Sequence, residues 1–170
     1  MEQEKKTINK DCHWFHIIIS TGFGSGFCPI APGTAGAILA TIIWYVLSLF
    51  VSTEPLISSA LFFSTLALTV VFTIVGTWSS GVMERYWGED PSRVVVDEMV
   101  GVWIPLLAVG DGNIYYGLAA LALFRLFDIF KPLGIRKAED VGGGLGIMLD
   151  DIVAGVYSLI ILIGVRCLIG

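Results

Sequence analysis

This sequence is short of charge. Only 15% of its 170 residues are Asp, Glu, Lys or Arg, while 55% are hydrophobic, and the mean hydropathy is +0.82. Soluble domains carry about 25% charged residues, so the scarcity points to lipid as the solvent for much of the chain. Basic residues are fewer than acidic ones, 10 against 15, for a net charge of −5. No basic patch with interleaved aromatics offsets that balance, which argues against a nucleic-acid partner. Cysteine is scarce as well. Cys12, Cys28 and Cys167 have no metal-ligand or redox spacing and read as small apolar or incidental residues. Polar linkers, low-complexity tracts and internal repeats are missing, so residues 1–170 are expected to form a single membrane-embedded domain. The opening "MEQEKKTINKDCHWFH" has charge but no apolar core, so no signal peptide is expected there.

What the chain does have is a series of apolar runs. A spanning helix needs about 20 predominantly apolar residues. Residues 34–51 supply the first candidate, preceded by a turn at Pro32-Gly33 and an N-cap at Thr34. A short polar break, "STEP", leads to the second at 56–77. The most polar internal stretch, "SSGVMERYWGEDPSR", follows and is expected in water or at the interface. The third segment, 94–109, is short, carries Asp97 and Glu98 near its start, and could be a half-span or a helix buried among the others. "GDGN" at 110–113 is a turn signal. The fourth candidate, 114–130, ends where Pro132 blocks helix continuation, and the fifth covers 147–168. The expected fold is all-α, a multi-helical integral membrane protein with about five hydrophobic helices.

Threading five crossings from an N-terminus inside puts Lys5, Lys6, Lys10, Arg85, Arg93, Lys131, Arg136 and Lys137 on the interior side, with Arg125 one turn from it. Of the ten basic residues only Arg166 falls outside, so the positive-inside rule supports an N-in, C-out arrangement. The same threading gathers the unusual residues at the cytoplasmic ends of the helices. They are the glycine-rich "GFGSGFCPIAPGT", Asp97-Glu98, the helix end "FRLFDIFKP" and Asp150-Asp151.

Asp97, Glu98, Asp128, Asp150 and Asp151 come from three helix ends in apolar surroundings. One such pair alone would read as headgroup-zone charge. Three groups on a common face need a cation to offset their repulsion, and oxygen-only ligands suggest Mg²⁺, Mn²⁺ or Ca²⁺. Arg125, Asp128 and Lys131 line one strip of the fourth helix at i, i+3, i+6. Arg125 offers a fork suited to a phosphate or a carboxylate, a turn deeper than Lys131. Lys131 by itself reads equally well as a lysine snorkelling to headgroups. Gly22, Gly24, Gly26 and Gly33 precede the first span, and Gly142, Gly143, Gly144 and Gly146 the fifth. Such loops can offer backbone N–H groups to an anion, with Ser25 and Thr34 adding hydroxyls, though flexible turns are the commoner use. No Walker lysine or G-x-G-x-x-G after a strand is present. "HWFHIII", with His13 and His16, reads mainly as an interfacial amphipathic anchor. Acids that hold a hard cation, an arginine and glycine-rich loops together point to phosphate chemistry at a membrane surface.

Four motifs in order, "GFGSGFCPIAPGTAG", "VVDEMVGVWI", "FRLFDIFKPLGIR" and "GGGLGIMLDDIVAGV", closely resemble the phosphatidylglycerophosphatase A family over residues 22–156. The resemblance implies a Mg²⁺-dependent phosphatase of the bacterial cytoplasmic (inner) membrane, multi-pass, with its active site facing the cytoplasm. Its lipid substrate would be phosphatidylglycerophosphate, converted to phosphatidylglycerol in phospholipid biosynthesis. Carried onto this sequence, the metal-binding acids are Asp97, Glu98, Asp128, Asp150 and Asp151. Asp97, Glu98, Asp128 and Asp151 are the catalytic candidates, and Arg125 and Lys131, with Gly24, Ser25 and Thr34, are the substrate-binding ones. Leu133-Gly134 departs from the second proline often found after "KP", and the first twenty residues and 78–93 match poorly. Rival readings are another lipid-phosphate phosphatase or a divalent-cation transporter, since buried acids also line ion paths. Against the transporter, the acids sit at one end of the spans with none midway. Water and an aspartate carboxylate both remain open as the nucleophile.

Overall fold

The computed structural model describes residues 10–51, 59–89, 91–132 and 142–169, and all regular structure among them is helical. The described residues form six α-helices: α1 Lys10–Ser20, α2 Pro32–Phe50, α3 Ala60–Trp87, α4 Val96–Leu106, α5 Ile114–Phe130 and α6 Gly143–Ile169. A 3₁₀ turn at Ser25–Phe27 sits between α1 and α2. Three helices, α2, α3 and α6, are long and apolar enough to cross a membrane. The fourth sequence segment forms α5, with 17 residues, and the third forms α4, with only 11. At 1.5 Å per residue α4 reaches about 16 Å, roughly half the hydrocarbon thickness.

The long helices are built for an apolar surrounding. On α3, Phe63, Val70, Val71, Ile74 and Trp78 are exposed, while Thr65, Thr69, Gly76, Ser79 and Ser80 are buried. Small and hydroxyl side chains face the neighbouring helices, where they allow close backbone approach, and large aliphatic ones face outward. The buried threonine hydroxyls are satisfied inside the helix itself. Thr65 and Thr69 donate to the carbonyls four residues back, of Leu61 and Thr65, each at 2.8 Å.

The short helix is the centre of the fold. All of α4 except Glu98 is buried, and it packs against α2, α3, α5 and α6. Trp103 fixes its depth, donating from Nε1 to the Ala40 carbonyl of α2 at 3.0 Å and meeting Phe72 of α3 edge-on at 5.3 Å. Glycines set the crossings. A Cβ on Gly155 would press on the Gly101 carbonyl, and one on Gly101 would enter the Phe124 ring. A helix covered on all sides by others needs no spanning length, which decides between the alternatives for the third segment in favour of a buried helix.

Other boundaries also move. α3 runs on to Trp87, through residues whose polarity suggests a loop. Ser79, Ser80 and Met83 are buried against other helices, and Ser79 Oγ lies 3.1 Å from His16 Nδ1 of α1. α6 starts at Gly143 rather than 147, because its glycines let it lie on α3, with Gly144 against the Thr77 carbonyl and the Gly81 backbone. α2 starts at Pro32 with Ala31, not Thr34, as its N-cap. The "STEP" break and the whole "LGIRKAEDV" connection lie outside the described residues.

Candidate active site

α2, α4 and α6 begin at one end of the bundle, where α3 and α5 finish. A cleft of about 560 Å³ opens there. Asp97 and Glu98 from the first turn of α4, Asp128 from the last turn of α5, and Asp150 and Asp151 from the third turn of α6 all line it, with Lys131 just past α5. The five acids named from sequence therefore share one wall of space.

Three of them come closest. Carboxylate oxygens of Asp97, Glu98 and Asp151 lie within 4.8 Å of one another. Asp97 and Asp151 are 8% and 3% exposed. Asp97 Oδ1 and Glu98 Oε2 are buried with no hydrogen-bond partner, and Asp151 has Glu98, Asp128 and Asp150 as charged neighbours. Buried polar atoms are nearly always satisfied, and like charges this close repel. A cation answers both demands. The donor set is oxygen only, which suits a hard divalent ion. Carboxylate oxygens within 4.8 Å of one another are close enough to share one such ion.

The other two acids are engaged by bases. Arg125 NH1 lies 2.5 Å from Asp128 Oδ2, and Lys131 Nζ 2.6 Å from Asp150 Oδ2. Asp128 and Asp150, also expected as cation ligands, each give one carboxylate oxygen to a base and line the same cleft as the three-acid cluster. Arg125 Nε is buried without a hydrogen-bond partner, leaving a donor for an incoming anion. At the first turn of α2, Gly33 is buried against Glu98 and Arg125.

Gly24, Ser25 and Thr34 are placed differently. Gly24 is exposed, caps the 3₁₀ turn at φ +96°, and has open space where a Cβ would stand. Ser25 Oγ donates to the Gly22 carbonyl at 2.9 Å, and neither residue, nor the half-buried Thr34, is among those lining the cleft. The loop instead braces α4. A Cβ on Gly22 would stand 2.6 Å from Met99 Sδ, and the Val95 N–H donates to the Ser20 carbonyl at 2.8 Å. His16 is buried between α1 and α3, outside the cleft lining. Sequence reasoning missed Glu84 and Glu89, which line the cleft from the end of α3 and just beyond it. Their only signal is acidity within a polar stretch.

The sequence model of phosphatidylglycerophosphatase A matches residues 18–166. The chain belongs to this family. It is accordingly a phosphatase. Phosphatidylglycerophosphatase A of Escherichia coli K12 is 36% identical over 144 residues, 83% of this chain and 77% of that relative. The Haemophilus influenzae phosphatidylglycerophosphatase A is 36% identical over 151 residues, 88% of this chain and 87% of its own length. A Bacteroides thetaiotaomicron protein, provisionally named a phosphatidylinositol-3-phosphatase, is 58% identical over 156 residues, 91% of this chain and 95% of that protein. No solved structure matches. The family membership and the three long apolar helices together describe a membrane protein.

Proposed function

We propose that this protein removes the terminal phosphate of phosphatidylglycerophosphate in a Mg²⁺-dependent reaction, yielding phosphatidylglycerol and inorganic phosphate for phospholipid biosynthesis. The observation that carries this reading is the cluster of buried Asp97 and Asp151 with half-buried Glu98, a cluster with two buried, unpartnered oxygens, at a cleft in a chain of this family. The substrate headgroup holds a phosphodiester and a phosphomonoester, and a cleft so rich in carboxylates would repel it. The bound cation would offset that charge and polarise the phosphoryl oxygens. Asp97, Glu98 and Asp151 would hold it, with Asp128 and Asp150 alongside.

Arg125 then binds the phosphate. Its Nε is aimed by the Asp128 ion pair, which orients the guanidinium fork and keeps a deep cation compensated. Lys131, held by Asp150, adds a second positive charge nearer the mouth. In the net reaction the P–O bond to the glycerol carbon chain breaks, a water oxygen joins phosphorus, and the departing alkoxide takes a proton.

The basic-residue distribution supports N-in, C-out, with the cleft facing the cytoplasm of the bacterial inner membrane. α2 to α6 alternate in direction, and Arg166 near the end of α6 meets Asp111 at 2.8 Å and the Ala108 carbonyl at 2.5 Å, beyond α4. These contacts support a reading in which the segment from α4 to Asp111 leads from the cleft end toward the far end. A compartment-specific reporter at Lys5 and at Gly170 tests this: opposite sides are expected, and the same side refutes it.

The name of the Bacteroides relative favours a second substrate reading, a 3-phosphoinositide. Phosphate release by purified protein from phosphatidylglycerophosphate, phosphatidylinositol 3-phosphate and phosphatidic acid, with and without Mg²⁺, decides. Preference for phosphatidylglycerophosphate with Mg²⁺ is expected. Preference for the phosphoinositide, or full turnover after exhaustive metal removal, overturns the corresponding half of the proposal.

A further inference from the structure

We propose that Gly33, at the first turn of α2, is a positioning residue that seats the Glu98 carboxylate for the divalent cation and holds Arg125 beside it. This rests on the reading of Asp97, Glu98 and Asp151 as the cation site. Gly33 is buried, has no strained backbone angle, and follows Pro32 at the start of α2. Conformational freedom therefore does not explain a glycine at this position. Space does. A Cβ built on Gly33 would overlap Glu98 Oε1, stand 2.9 Å from Glu98 Cδ, and lie 3.3 Å from Arg125 NH1. The hydrogen of Gly33 is thus the contact surface for both an acid and a base of the site. No other glycine has the side chains of two proposed site residues against its built Cβ among the described contacts.

The placement has an electrostatic consequence. α2 is a 19-residue helix whose N-cap, Ala31, offers no side-chain acceptor. Its N-terminal end carries partial positive charge and N–H groups without intrahelical partners. The Glu98 carboxylate is packed against that turn. Glu98 Oε1 faces Gly33, while Glu98 Oε2 is the buried oxygen without a partner. One oxygen is therefore held against α2, and the other is left buried and free to take a cation. A methyl group at residue 33 would push the carboxylate away from α2, changing where Oε2 points and crowding Arg125. Outer-shell residues that orient metal ligands have effects of about ten- to a hundredfold on metal affinity.

The test uses the full-length protein in detergent, with Mn²⁺ as a spectroscopic probe for the cation and thermal melting to follow folding. Gly33→Ala is expected to weaken Mn²⁺ binding by about ten- to a hundredfold and to lower kcat/KM with it. Gly164→Ala, at an open position on α6 with no atom near its Cβ, should change neither. The discriminating arm is Glu98→Asp, which draws the carboxylate back by one methylene and removes the overlap. On that background Gly33→Ala should alter the Mn²⁺ Kd by less than about threefold, the non-additivity expected of residues in contact. If Gly33→Ala alone fails to fold, recovery of folding in the double variant supports the same clash. Unchanged Mn²⁺ affinity in Gly33→Ala, an equal loss on both backgrounds, or failure of both variants to fold overturns the proposal. If the wild-type protein binds no Mn²⁺, the cation reading itself fails, a result distinct from these.

Discussion

Lys131 Nζ lies 2.6 Å from Asp150 Oδ2, joining the end of α5 to the third turn of α6 across the cleft. Asp151, the next residue along, belongs instead to the three-acid cluster. Adjacent helical residues point about 100° apart, so one aspartate holds a base while its neighbour turns to Asp97 and Glu98. Their substitutions should separate accordingly. Asp151→Asn is expected to lower Mn²⁺ affinity at least about tenfold more than Asp150→Asn, measured by titration of the purified protein. Equal losses would place Asp150 among the ligands.

Asp97→Asn tests the cluster from α4. It removes one charge while keeping the shape, and should reduce the rate of phosphate release by at least about 10²-fold, the scale seen when a single electrostatic contact to a developing charge is lost. A chelator should do the same to the wild-type enzyme, and added Mg²⁺ should restore it. Turnover that survives exhaustive chelation would show that the acids serve another purpose.

Arg125→Lys keeps the charge but loses the planar fork, which at a bidentate site is not a conservative change. A fall in kcat/KM of about one to three orders of magnitude is expected, roughly 1.4–4 kcal/mol of transition-state stabilisation. Lys131→Arg, nearer the cleft mouth, should be milder. Near wild-type kinetics for Arg125→Lys at equal expression would make Arg125 a packing residue.

Arg166 provides the opposite case. It ties the end of α6 to Asp111 and the Ala108 carbonyl, and its guanidinium lies 4.7 Å from the Tyr116 ring centre. Arg166→Ala should lower thermal stability by about 1 kcal/mol, given the partly exposed pair, with kcat/KM unchanged. A catalytic defect here would mean the far end communicates with the cleft.

Gly144→Val probes the α3–α6 contact. Its side chain would overlap the Thr77 carbonyl and stand against the Gly81 backbone, so a loss of about 1–3 kcal/mol in detergent melting is expected, as for other overpacked contacts. Unaltered melting would mean the two helices can separate at no cost.

Much of the fold was legible because its signals are local. Apolar runs of spanning length marked α2, α3 and α6, and Pro132 marked the end of α5. The boundaries that shifted did so for a tertiary reason. Ser79, Ser80 and Gly81 read as a polar loop, yet in an apolar solvent small and hydroxylated residues are what one helix turns toward another. The glycines before Asp150 read as a flexible turn or an anion-binding loop, yet from Gly143 they form the first turn of α6, thinned so that it can lie on α3.

The sequence by itself determined the chemistry available to this protein: acids and two bases confined to the ends of apolar helices, in motifs carried by one family. Only the tertiary structure decided how they divide. Burial of α4 among four other helices brings Asp97 and Glu98 against Asp151, while ion pairs draw Asp128 and Asp150 to Arg125 and Lys131. The same packing placed Gly33 against Glu98 and turned the first glycine loop into a brace for α4. Spacing along a chain fixes which face of its own helix a residue occupies. Which side chain of another helix it meets depends on how closely the backbones approach, and that is set by the small residues at each crossing.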